Sequence, residues 1–83
     1  MAAILRFHAT IVSADRVWFD GMASSVTFPG ERGVFEVLPF HRPLITRLAA
    51  GKVIVDGHAL PIQRGVVRVW HDDITAIVEP SGR

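Results

Sequence analysis

Four histidines, His8, His41, His58 and His71, are the residues of this 83-residue chain best suited to ligate a metal or carry a proton. No two of them stand at ligand spacing or on one expected turn, so the set reads as structural. The compact group His71-Asp72-Asp73 looks ligand-like, but aspartates beside a strand end are better explained as a hairpin turn bonding its own backbone. Ser13, Ser24, Ser25 and Ser81 lack a nucleophile elbow or a local triad partner. Gly30-Glu31-Arg32-Gly33 lacks the lysine and the following helix of a phosphate loop, so its glycines serve a turn. The absence of cysteine excludes a disulfide framework, a thiolate zinc site and a cysteine nucleophile, and agrees with a reducing compartment. No catalytic, metal or cofactor residue is expected. The side chains left to act are apolar: Trp18, Phe40, Trp70 and the β-branched strand faces exceed what one internal layer can hide, and an outward apolar patch marks a protein interface. Phe40, following Pro39 at a bend, is expected to project as an anchor, whereas both tryptophans are equally compatible with a core position.

The elements that position these residues are short strands. Leu5, Phe7, Ala9 and Ile11 alternate with Arg6, His8 and Thr10, predicting a strand over Ile4–Val12 with one buried face. Val17-Trp18-Phe19 runs to Asp20-Gly21, read as a type I′ turn, with Ala23–Phe28 returning. Between Pro29 and Gly51, glycines and prolines punctuate Val34, Phe35, Val37, Leu38, Leu44, Ile45 and Leu48, and Pro39 and Pro43 bracket a bend at His41. Leu44–Ala50 alone has a trace of helical period. Lys52–Val55 and His58–Gln63 flank Asp56-Gly57, the clearest hairpin signal, and Pro61 argues for an edge position. Val66–His71 and Ile74–Glu79 flank a turn at Asp72-Asp73, with Ile74, Ala76 and Val78 facing opposite to Thr75 and Ile77. Pro80-Ser81-Gly82-Arg83 is expected to fray. The prediction is one all-β domain over 1–83, an antiparallel β-sandwich or flattened barrel of about nine or ten short strands.

The Pro29–Gly51 run resembles the epsilon subunit of F-type ATP synthases, whose amino-terminal β-sandwich carries the pattern PG, two residues, G-x-F-x-V-LP-x-H-x-PL, Ile or Leu, Thr. Ile11-Val12-Ser13-Ala14-Asp15 with Phe19-Asp20-Gly21 is similar to the family's opening hairpin, and Gly65–Val69 through Val78 to its last two strands. Glu36 and Phe40 stand where the family usually has glycine, and Gln63-Arg64-Gly65 replaces a common Ser-Gly-Gly. These departures suit a less typical member, such as the second F-type ATPase some bacteria carry.

The resemblance implies a non-catalytic rotor-stalk subunit that couples the gamma subunit to the membrane c ring during proton- or sodium-driven ATP synthesis. It would sit peripherally, within the complex, at the cytoplasmic face of the cell membrane. Carried over by position, Ser13, Thr46 and His41 correspond to positions against gamma. Glu31, Arg32, Val34, Phe40, His41 and Arg42 correspond to loops nearest the c ring. Family members usually continue into an inhibitory helical hairpin; with nothing after Arg83 the chain is expected to be a short form or a fragment, unable to inhibit in that way.

Composition bounds the alternatives. A hydrophobic content of 49% with 20% charged residues is globular. A net charge of +1, with the basic residues scattered, gives no long-range pull toward nucleic acid or anionic lipid. No stretch approaches the ~20 apolar residues of a membrane span, so membrane association is expected only through another protein. The competing class is a free-standing β-barrel module for oligosaccharide or single-stranded nucleic acid. It would need grouped aromatics with basic neighbours, and here they are dispersed.

Overall fold

The computed structural model describes residues 5–81. Eight strands follow one another: β1 (Phe7–Val12), β2 (Val17–Ala23), β3 (Val26–Gly30), β4 (Gly33–Val37), β5 (Leu44–Leu48), β6 (Gly51–Val55), β7 (His58–Trp70) and β8 (Asp73–Pro80). The order β2-β1-β8-β7-β5-β3-β4, with β6 bridging β3 and β7, folds the sheet into two layers. One is β2-β1-β8 with the second half of β7 and β5; the other is β4-β3-β6 with the first half of β7.

The expected all-β sandwich is present, with local differences. The strand count is eight because Gln63-Arg64-Gly65 does not break the chain: it is a register shift between Ile62 and Arg64 inside a single 13-residue β7. Gly65 is needed there for close approach, since a Cβ would lie 2.6 Å from the Ile77 carbonyl oxygen. Asp20-Gly21 is not a turn. Both residues lie within β2, where Asp20 faces Thr10 and Gly21 faces Ala9, so the first hairpin is β1–β2. Leu44–Leu48 is strand, not helix, because it finds a ladder along Leu44–Leu48 opposite Val69–Gly65 of β7. The sheet is not wholly antiparallel: β1 and β8, near the two ends of the chain, pair in parallel, a geometry that needs a long intervening connection and here has most of the chain. The β7–β8 turn falls at His71-Asp72, one residue early. Of the segments expected at the ends, Ile4, Gly82 and Arg83 lie outside the described residues; Pro80 belongs to β8, and Ser81 donates its N–H to the Pro61 carbonyl at 3.0 Å.

Asp56-Gly57 forms its hairpin as expected, with φ of 46° and 90°, the doubly positive pattern of a type I′ turn. The core alternates along the strands: Phe7, Ala9 and Ile11 on β1, Val67 and Val69 on β7, and Ile74, Ala76 and Val78 on β8 are buried. Phe28, fully buried, packs at 5.6 Å against Phe35 in a tilted pair, a geometry worth about 1 kcal/mol beyond area burial. Among the described residues no polar or charged residue is buried. Trp18 packs against this core, whereas Trp70 is half exposed.

Candidate functional site

The outward face of the layer β2-β1-β8-β7-β5 is built rung by rung from strand register. Val17, Val12, Ile77, Val66 and Arg47 stand side by side across the five strands. Four of the five are apolar, so a band roughly 14 Å long at the usual inter-strand spacing carries no charge. Ile77 and Val17 are each more than half exposed, although the core beneath them is complete. The next rung is Asp20, Thr10, Thr75, Arg68 and Ile45, with Ile45 largely exposed. The third holds Met22, His8, Asp73 and Trp70. Charge is divided across the face: Asp20 and Asp73 flank His8 at one end, while Arg47 and Arg68 lie toward β5, and Arg64 is paired to Glu79 at 3.3 Å.

His8 lies between the two aspartates, its Nε2 2.8 Å from Asp20 and its Nδ1 3.3 Å from Asp73. Hydrogen bonding to Asp73, then to Asp20, raises its pKa above the ordinary value of 6.5. No cluster of three or more metal-ligating residues with metal-binding geometry occurs among the described residues.

The second feature is the bend from Leu38 to Pro43. The His41 N–H donates to the Leu38 carbonyl at 3.2 Å, closing a four-residue turn with Pro39 second and Phe40 third. Phe40 has φ of 68°, the left-handed value that a type II turn demands at its third position and that normally selects glycine. The residue is 75% exposed. His41 donates its Nδ1–H to the Arg42 carbonyl at 2.7 Å, stiffening the bend from within.

The sequence-expected residues separate into distinct places. Ser13 lies in the β1–β2 connection, where its hydroxyl accepts the Trp18 indole N–H at 2.9 Å and donates to Asp15 at 2.9 Å; Arg16 stacks 3.9 Å over the same indole. Thr46 is opposite buried Val67 and therefore on the inward side of β5, half covered. His41 is at the bend. Glu31 and Arg32 form the exposed β3–β4 turn, where the Glu31 N–H donates to the Arg47 carbonyl at 3.2 Å, and Val34 is 74% exposed on β4. Phe40, His41 and Arg42 lie at the opposite end of β4, so the expected ring set borders one open sheet edge instead of forming one patch. Of the other departures, Glu36 sits in ordinary strand and accepts the Ser25 hydroxyl at 2.6 Å, while Gln63 falls at the β7 bulge. The β-branched strand faces led the sequence to expect an outward apolar patch, but single-residue reading did not identify this rung. Its signal is the unbroken run Ala76-Ile77-Val78 beside Val66-Val67, apolar on both faces of neighbouring strands.

Residues 6–80 match the model of the delta/epsilon-chain β-sandwich domain of ATP synthase. The chain belongs to this family. The domain is 40% identical over 78 residues to the ATP synthase epsilon chain of Xanthomonas euvesicatoria pv. vesicatoria (strain 85-10), covering 88% of this chain and 56% of that one. It is 38% identical over 77 residues to that of Bordetella avium (strain 197N), covering 78% and 55%. The delta/epsilon-type chain thus spans about half the length of these relatives. In shape it is similar to a chain in the Tetrahymena thermophila mitochondrial ATP synthase central stalk and c-ring structure, with TM-score 0.76, 14% identity and coverage of 87% of this chain and 62% of that one. A chain in the Euglena gracilis mitochondrial ATP synthase structure gives 0.79, 19%, 88% and 50%. At these identities the structural likeness supports the sandwich fold of the domain.

Proposed function

We propose that this domain is a non-catalytic part of the rotor of an F-type ATP synthase, joining the gamma subunit to the c ring during ion-driven ATP synthesis at the cytoplasmic face of the membrane. The observation that carries the reading is the apolar rung Val17, Val12, Ile77 and Val66, exposed apart from half-buried Val12, on a family member whose core is already closed beneath it. Such a band needs a protein partner, and charge at its ends sets orientation more than affinity. In this reading gamma covers the outer face of β2-β1-β8-β7-β5. The ring meets the β4 edge through Glu31, Arg32, Val34, Phe40 and Arg42, with His41 near both. Ser13, beside Ile77, and Thr46, beside Ile45 and Val66, border this face and belong to the gamma contact in this reading. A tightly packed double layer resists shear, which is what transmitting torque between ring and stalk requires.

The test is titration calorimetry of the chain with its cognate gamma subunit. Ile77→Thr combined with Val66→Thr, which keeps β-branched, uncharged side chains on both strands, is expected to weaken association at least about tenfold, roughly 1.4 kcal/mol, while changing domain stability by less than about 1 kcal/mol. Unchanged affinity would remove the interface from this face, and no association by the unmodified chain would remove the rotor reading.

A further inference from the structure

We infer that Phe40 is an anchor held in a backbone conformation unfavourable to it, and that its occupant is an apolar recess in the loop ends of the c ring bordered by carboxylates that take Arg42. This rests on the rotor reading above and adds to it which of those ring-facing residues is the anchor, why its backbone marks it as one, and the chemistry it meets. Two independent observations carry it. The first is conformational: at φ of 68° a side chain with a Cβ crowds its own carbonyl, and an aromatic residue gains no local hydrogen bond in exchange, as asparagine or aspartate would. The second is packing: Phe40 is 75% exposed, and among the described residues it belongs to neither the core nor its packed fringe nor an aromatic pair. A strained backbone that its own turn holds in place, while the strained side chain packs against nothing, is the pattern that clusters at binding elements. The turn itself is rigid, fixed by Pro39, by the Leu38–His41 bond and by the His41–Arg42 bond, so the ring is presented with little freedom to lose on association. Half-exposed Leu38 flanks it on one side, and exposed Arg42, without an ion pair among the described residues, flanks it on the other. An aromatic beside a free guanidinium fits an apolar hollow with an acidic rim.

The experiment compares the unmodified chain with Phe40→Gly and Phe40→Ala for binding to the cognate gamma–c-ring subcomplex in detergent, with thermal melting of each free chain alongside. Phe40→Gly is expected to raise Tm by about 3 °C, because glycine accepts the positive φ, and to weaken ring-dependent binding by roughly tenfold or more. Phe40→Ala should weaken binding equally with no gain in Tm. Binding of Phe40→Gly at wild-type affinity would overturn the anchor while leaving the rotor reading intact, whereas failure of the unmodified chain to bind would remove both. Association of the unmodified chain with phosphatidylglycerol vesicles that Phe40→Gly loses would assign the ring to a lipid surface and overturn the proposal as well.

Discussion

Of the three bends that place a non-glycine residue in the left-handed region, two differ most clearly in what holds them. At the β6–β7 turn, Asp56 has φ of 46°, and its carboxylate accepts the Ser24 N–H at 3.1 Å and the Ser25 N–H at 3.0 Å, while its own N–H donates to the Ser25 carbonyl at 3.0 Å. The turn is therefore tied to the β2–β3 connection, and the unfavourable backbone is offset by three bonds to another part of the chain. At the bend after β4, Phe40 has φ of 68°, and the bonds present, Leu38 to His41 and His41 to Arg42, stay inside the bend itself. Among the described residues no hydrogen bond from elsewhere in the chain reaches it. The same conformation is structural where the fold stabilises it and points to a partner where the fold does not.

That contrast is broken most sharply at Asp56. Asp56→Ala removes the acceptor for two backbone N–H groups and leaves alanine in a left-handed turn, for an expected loss of about 2 kcal/mol and a fall in Tm of roughly 10 °C by thermal melting. Asp56→Asn, which tolerates the same φ and keeps one carbonyl acceptor, should lose about half as much. Equal stability of Asp56→Ala and the unmodified chain would mean that the cross-chain bonds do not support the turn, and the distinction from Phe40 would disappear.

The same contrast explains which parts of the fold could be read from the sequence. Asp56-Gly57 and Asp20-Gly21 are identical dipeptides, and only the first turns. Asp20 lies alongside Thr10 of β1, its carboxylate receives His8, and a ladder running the length of β2 outweighs a two-residue preference. A local rule cannot sense which strand will lie beside it. Leu44–Leu48 was ambiguous for the same reason, becoming strand because β7 is there to pair with it. Alternation on β1 and β8, the Asp56 hairpin and the bend at His41 were legible because each depends on neighbours in sequence. The outer rung was not, since Val17, Val12, Ile77 and Val66 align only after three separate registers are fixed. The family resemblance located the bend and the β3–β4 turn, but it could not show that they lie at opposite ends of β4, nor that Thr46 faces inward.

A third left-handed residue sharpens the comparison with a smaller effect. His71, at φ of 55°, begins the β7–β8 turn, and its ring meets Trp70 edge-on at 4.8 Å. Like Asp56, this turn is tied from outside: the His8 N–H of β1 donates to the Asp72 carbonyl at 2.8 Å, and the His8 imidazole bridges Asp73 of β8 and Asp20 of β2. Only the side-chain part of that tie depends on pH. Because the two aspartates raise the histidine pKa above 6.5 in the folded chain, the stability it contributes is complete below about pH 6.5 and is lost as pH rises through the raised value. His8→Gln, which keeps the backbone bond and cannot be protonated, should lack this decline. Urea midpoints for both proteins from pH 5.5 to 8.5 are expected to diverge at the acid end, with the unmodified chain the more stable, and to converge toward the alkaline end. The size of the divergence will be small, because all three side chains are well exposed and water screens the pairs. A constant gap across the range would show that the imidazole contributes by packing alone, leaving the main-chain bond from β1 as what secures this turn.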